Sequence, residues 1–226
     1  MQVLVLCNDY WHPARVPRAG LDPLSADSGH NAGFKFDWIE RAGDWSAEKM
    51  AGYPVVLLTR SNNTSSTDQA PWMSDVVQQA FADYVRAGGG LVVIHSGSAG
   101  YAETPVLRRL MGGVFVEHPP QCDVTYAPQA GHPLTGGSAP FTVKDEHYRM
   151  AFDDAQAEVF MTGISERGAQ PAGWTRAEGK GRVCMLTPGH NVEVWLRPAY
   201  QTIIRNALRW CGRSAESLSR AQEILN

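Results

Sequence analysis

The sequence has no long apolar run. Its longest, such as Val3–Cys7 and Leu91–Ile94, fall far short of the roughly 18 residues that span a bilayer. No basic segment precedes the apolar start, so a secretory leader is not expected and the reading is cytoplasmic. There is no surplus of either charge: 20 Lys plus Arg against 23 Asp plus Glu leave a net charge of -3. That balance gives no electrostatic footprint for nucleic acid or an anionic membrane. The four cysteines, Cys7, Cys122, Cys184 and Cys211, include no C-x-x-C pair, which excludes a zinc knuckle and a dithiol redox motif and leaves reduced core thiols. The phosphate-binding G-x-x-x-x-G-K-[ST] loop and the H-E-x-x-H metal pair are missing as well. The glycine-rich Gly88–Gly90 precedes a strand instead of linking a strand to a helix, so nucleotide binding is disfavoured.

What remains is an ordinary globular composition of 226 residues, 43% hydrophobic, 9% aromatic and 19% charged. Such a chain buries about 70% of its unfolded surface in one compact unit. Gln2–Cys7 is a buried first strand opening into the loop Asn8–Pro13. Phe34, Phe36 and Trp38 alternate with Lys35 and Asp37 as in a half-buried strand. Val55–Thr59 is a third strand, and Asp68 with Pro71 marks a helix start. Trp72, Val76, Val77, Ala80, Phe81, Tyr84 and Val85 recur at helical spacing until the glycines stop them. Leu91–Ile94 follows as a strand covered on both faces, then a helix from Thr104–Pro105 to Gly112–Gly113.

This order predicts an α/β fold with a mostly parallel sheet. The later short runs, Val114–Glu117, Cys122–Ala127, Phe141–Lys144, Glu158–Met161, Ala172–Thr175 and Arg182–Thr187, predict added antiparallel strands. Trp195–Trp210 closes as a helix and Ser214–Asn226 as a terminal one. The division is a body over residues 1–212 and a helical tail over 213–226.

Ligands of open parallel sheets gather beyond the carboxyl ends of the strands, and histidine recurs there: His12, His95, His118 and His190 each follow a predicted strand. The junction at His95 is the most specific, because a β run breaking into His95-Ser96-Gly97-Ser98 resembles a sharp elbow that lifts a side chain above the sheet. Histidine at such an apex supplies an acid, a base, a hydrogen bond or a metal ligand, whereas Ser96 is a poor nucleophile. In Lys144-Asp145-Glu146-His147-Tyr148, an extended chain puts Glu146 and Tyr148 on one face and Asp145 and His147 on the other. His95, His190 and Glu146 are the catalytic candidates. His12, Trp11, His118, Ser96, His147, Tyr148 and Trp174 are the substrate-binding ones, with Trp11 or Trp174 as aromatic faces on which a ligand ring could stack. No cofactor is required by the sequence, but imidazole and carboxylate together leave a divalent transition metal open, with His12, His95 and His190 as its ligands.

Several blocks then form a pattern: Tyr10-Trp11-His12-Pro13, Ala87-Gly88-Gly89-Gly90-Leu91-Val92-Val93-Ile94-His95, Gly112-Gly113-Val114-Phe115, His118-Pro119, Gly131-His132-Pro133-Leu134-Thr135, Asp145-Glu146-His147-Tyr148, Gly179-Lys180-Gly181-Arg182-Val183 and Gly189-His190. Their order resembles that of the trehalose-utilisation (ThuA-like) proteins over about residues 1–211. The resemblance implies a flavodoxin-like three-layer sandwich similar to the class I glutamine amidotransferases. Those enzymes carry a nucleophilic cysteine at the elbow and a histidine after a late strand. Here His95 stands at the elbow and His190 matches the late histidine, so amidotransferase chemistry lacks its nucleophile. The resemblance implies instead a role in carbohydrate use, on a disaccharide or keto-sugar, as a hydrolase or isomerase of sugar derivatives. A non-catalytic sugar-binding module and a metal-dependent hydrolase are the alternatives. The expected partner is a small carbohydrate, and family habit leans towards a homo-oligomer.

Overall fold

The structure is a computed structural model that describes residues 1–25 and 33–212. The tail read as a terminal helix lies outside the described residues. A nine-stranded sheet runs through the molecule in the order β2-β1-β3-β4-β11-β10-β9-β6-β7. Its first half comprises β1 (Gln2–Leu6), β2 (Lys35–Ile39), β3 (Val55–Leu58), β4 (Gly90–Ile94) and β11 (Gly181–Leu186). All neighbours in this half pair in parallel, and the order is that of flavodoxin-like sheets.

Side chains alternate between two cores, as strand geometry requires. Val3, Val5, Val55, Leu57, Val92 and Ile94 face one core with Leu21 and Leu24 of α1 (Arg15–Ser25), Trp195 of α5 (Val192–Trp195) and Ile203 and Ile204 of α6 (Pro198–Cys211). Leu4, Leu6, Val56, Leu58, Leu91 and Val93 face the other. There they meet Met50 of α2 (Ala47–Ala51), Phe81 and Val85 of α3 (Asp75–Arg86) and Leu107 and Leu110 of α4 (Pro105–Met111). The result is the expected three layers, and the doubly covered strands explain the unbroken apolar runs.

The second half is antiparallel: β11 pairs with β10 (Gly168–Glu178), then β9 (Glu158–Ser165), β6 (Cys122–Pro128) and β7 (Phe141–Asp145). Four expectations are corrected. Arg182–Thr187 is only half antiparallel, since β11 pairs with β10 one way and with β4 the other; a tight turn at Gly179–Lys180 reveals the hairpin but not the neighbour on the far edge. Val114–Glu117 joins no large sheet, because β5 (Gly113–Glu117) pairs with β8 (Arg149–Phe152) in a separate ribbon. The helix read from Trp195 is two helices, since Pro198 cannot continue the first and instead opens the second at its first turn. The helix with the aromatic stripe also starts later than Asp68, at Ser74, whose Oγ accepts the Val77 N–H as an N-cap. Ser65–Asp68 is a tight turn held by paired backbone bonds.

Candidate active site: a histidine–carboxylate cluster

Three of the four site residues stand beyond the carboxyl ends of parallel strands: His12 after β1, His95 directly after β4 and His190 after β11. His95 opens a 3-10 turn over His95–Ser98 and has a left-handed φ of 49°, a conformation that a bulky residue adopts only when its surroundings hold it there. The turn is tight enough that a Cβ on Gly97 would run into the Leu58 carbonyl. That close approach is what the glycine is for.

Glu146 arrives from the far edge of the sheet, just past β7. The antiparallel half must curl back to bring it here, and Asp145 secures the closure. Its buried carboxylate accepts the N–H groups of Gly189 and His190, each at 3.0 Å, and the Tyr126 hydroxyl at 2.9 Å.

One potential ligand atom from each of His12, His95, Glu146 and His190 lies within 4.8 Å of the others. Glu146 Oε1 is 3.0 Å from His190 Nδ1, and its Oε2 is 3.3 Å from His95 Nε2. Two of the imidazoles are oriented from behind. His95 Nδ1 is 2.8 Å from the Thr187 carbonyl, which can only accept, so Nδ1 carries a proton and Nε2 is the atom turned to the cluster. His12 Nδ1 lies 2.9 and 3.1 Å from the two Asp9 oxygens, with the same consequence for its Nε2. Asp9 also accepts the N–H groups of Trp11, His12 and Ser61. Burial pushes the Asp9 carboxyl up, but these bonds more than reverse it and hold it down at about 2.

Burial drives the His12 pKa below its ordinary value, favouring the neutral ring. Burial also opposes ionisation of Glu146, yet His190 and His95 outweigh it and keep the carboxyl well below the usual range. The Glu146 carboxylate 3.0 Å from its Nδ1 raises His190. His12 Nε2 is buried with no hydrogen-bond partner among the described residues, and the buried His95 Nε2 and His190 Nδ1 face no group there but the Glu146 carboxylate. Such atoms are costly unless something is bound to them. Three imidazoles and a carboxylate, two of the rings fixed through their far nitrogen by a carboxylate and a carbonyl, form a donor set that fits a divalent transition metal.

The cluster lies at a cavity of about 420 Å³. Tyr148 stacks on His95 with ring centroids 4.1 Å apart, and Phe115 packs on Tyr148 at 4.2 Å. His118 stands at the wall with Nε2 3.5 Å from Glu146 Oε1. Trp11 is 64% exposed at the rim.

Three expected binding residues are elsewhere. Trp174 is fully buried, and its Nε1 donates to the Met111 carbonyl at 2.8 Å; it fills the core under β10, where so large an apolar ring gains most. His147 points away, as alternation from Glu146 requires, with Nδ1 2.7 Å from Ser165 Oγ and Nε2 3.2 Å from the Gly163 carbonyl. Ser96 is buried in the elbow and is not among the residues lining the cavity. Reading by sequence missed Asp9, Asp145 and Ser61. Asp9, three residues before His12 in the loop after a buried strand, was the one with a local signal.

Fold and site together define a flavodoxin-like α/β protein with a histidine–carboxylate centre at the strand ends. The chain belongs to the ThuA family, described as trehalose utilisation, whose model matches residues 2–211. Among solved structures it is similar to a ThuA-like protein from Parabacteroides merdae, at 16% identity and a TM-score of 0.72, covering 94% of this chain and 90% of that one. A ThuA-like protein from Bacteroides uniformis is similar at 21% identity and a TM-score of 0.69, covering 93% and 91%. A β-galactosidase from Rahnella sp. R3 shares the fold over 92% of this chain but only 31% of its own, at 16% identity and a TM-score of 0.61. No curated protein matches the chain. No helix among the described residues is long and apolar enough to cross a membrane.

Proposed function

We propose that the protein is a metal-dependent enzyme of carbohydrate use, acting on an uncharged disaccharide or keto-sugar as a hydrolase or isomerase. One observation carries this reading: three buried imidazole nitrogens converge with one carboxylate, and among the described residues they face no other hydrogen-bonding group. A divalent ion held by His12, His95, His190 and Glu146 would polarise a sugar carbonyl or hydroxyl and acidify a bound water.

The chain's own groups do the rest. Asp9 and the Thr187 carbonyl keep two imidazoles in the ligating tautomer. Glu146 keeps an ionised carboxylate at the cluster and on the cavity wall, where it would accept a hydrogen bond from a substrate hydroxyl and orient it. Trp11 and Phe115 offer aromatic surface to the apolar face of a sugar ring, and Tyr148, buried between His95 and Phe115, backs the cluster. Among the described residues, no ionisable side chain apart from Glu146, the imidazoles and the Tyr148 phenol lines this cavity, which suits a neutral substrate.

The test is elemental analysis of protein purified without affinity tag or chelator, followed by turnover of disaccharides and their keto forms. The expected result is a near-stoichiometric transition metal, lost together with turnover in Glu146→Gln and in His95→Ala. Metal-free protein that turns over a sugar undiminished by chelator would sink the reading.

A further inference from the structure

A second cavity, of about 510 Å³, adjoins the first, and the two share Trp11 and His190 as walls. Each is the size of a small-molecule site, and their chemistry differs. In the metal-side cavity most polar side chains are already committed. Asn62 spends its oxygen on the N–H groups of Trp72 and Met73 and its amide on the Gly100 carbonyl. Asn63 accepts from the Tyr10 N–H and donates to Ser61 Oγ. A sugar unit there meets mainly aromatic faces and the cluster.

The second cavity is the reverse. Arg15, at the start of α1, and Glu193, in the first turn of α5, are both exposed and make no hydrogen bond or ion pair among the described residues. Asn191 donates its amide to Gln121 and the Lys144 carbonyl, leaving its side-chain oxygen available. His190 stands between the two, with Nδ1 turned to Glu146 and Nε2 without a partner among the described residues. Trp11 is fixed through its backbone N–H on Asp9, while its ring touches only the Tyr10 ring among aromatic neighbours.

We propose that the cavity lined by Arg15, Ala19, Asn191 and Glu193 is a second binding site, which takes the polar, polyhydroxylated second unit of a two-unit carbohydrate. The first unit occupies the metal-side cavity, and the linkage between the units lies against Trp11 and His190. This inference rests on the proposed function, because it deepens the substrate class of the same site. Hydroxyls of the second unit pair with the Arg15 guanidinium, the Glu193 carboxylate and the Asn191 side-chain oxygen. Discrimination between two-unit and one-unit sugars therefore arises in the second cavity, where leaving such groups unpaired costs binding.

The test uses the full-length protein as purified, its metal content measured first, with calorimetric titration of trehalose, maltose and lactose as two-unit probes and glucose and galactose as one-unit probes. At least one two-unit probe is expected to bind about tenfold or more tightly than its monosaccharide. Ala19→Trp, at an exposed helix position on the second cavity's wall, should erase that difference while leaving monosaccharide affinity and metal content unchanged. Arg15→Ala should reduce it in the same direction. Equal affinity for one-unit and two-unit sugars, failure of every two-unit probe to bind, or a preference that survives Ala19→Trp would each overturn the proposal. A preference seen in metal-free protein would leave the second site standing and remove only the metal; metal without a preference would do the opposite.

Discussion

Asp9 is the residue on which the ligating state of His12 depends. A carboxylate that receives four hydrogen bonds, from the Trp11, His12 and Ser61 N–H groups and from the imidazole Nδ1, accepts at every lone pair it offers. Asp9→Asn replaces one acceptor with a donor that must face another donor. Metal affinity should fall by about 10–100-fold, measured by competition with a chromophoric chelator, and unchanged affinity would remove Asp9 from this role. His132 has a separate residue-scale consequence, away from the site. Its ring is buried, stacks on Phe160 at 4.8 Å and accepts the Leu134 N–H at Nδ1, 3.1 Å away. Burial lowers its pKa below 6.5, and a proton on Nδ1 would also displace the Leu134 bond. The native state thus binds fewer protons than the unfolded chain between the two pKa values. Stability is fully present above pH 6.5 and declines as pH falls through that value. His132→Asn keeps an acceptor near Nδ1 without the titration. Urea denaturation between pH 7 and pH 5 should therefore show a shallower pH dependence for the variant than for the parent, and an identical dependence would count against His132.

The elbow after β4 shows how an element can place one side chain at the cost of local freedom. Gly97 packs against the Leu58 carbonyl and Val93, so Gly97→Ala must push the turn off β3 and carry His95 with it. The expected loss is about 1–3 kcal/mol of stability, together with weakened metal binding. Gly136→Ala, where a Cβ would meet nothing within 4 Å, is the control and should change little; equal effects from the two would refute the packing argument. This elbow was legible in the sequence because a glycine-rich turn, an apolar β run and its break into His95-Ser96-Gly97-Ser98 are all local. The alternation that separated Glu146 and Tyr148 from His147 was legible for the same reason. Helix α1 was not, since Pro17, Gly20 and Pro23 within it disguise its period. Trp174 misled because a tryptophan in a strand looks the same to sequence whether it faces solvent, ligand or core. Here the Met111 carbonyl satisfies its indole N–H inside the core.

At the scale of the whole molecule, the sequence carries the parallel half of the sheet in its apolar runs but not the closure of the antiparallel half. That closure depends on Asp145, at the edge strand β7, reaching the backbone of Gly189 and His190 beyond β11. The pairing joins segments 44 and 45 residues apart, and no local pattern announces it. The four cluster residues consequently come from segments near the start, middle and end of the chain, after β1, β4, β7 and β11. No unfolded chain presents them together, so an ion bound by all four binds the native state alone and its binding energy adds to global stability. At a free-metal concentration about 100 times the dissociation constant, that addition is about 2.7 kcal/mol. For a chain of this length it corresponds to a melting temperature raised by about 5–10 °C. Calorimetry of protein stripped with chelator and then reloaded with zinc, nickel, iron or manganese should show this rise for at least one metal. In Asp9→Asn the rise should shrink, since affinity falls while the fold persists, and in Glu146→Gln it should shrink further. A melting temperature indifferent to every metal tested would remove the ion from the proposed function and leave Glu146 and the imidazoles with acid–base and hydrogen-bonding roles only.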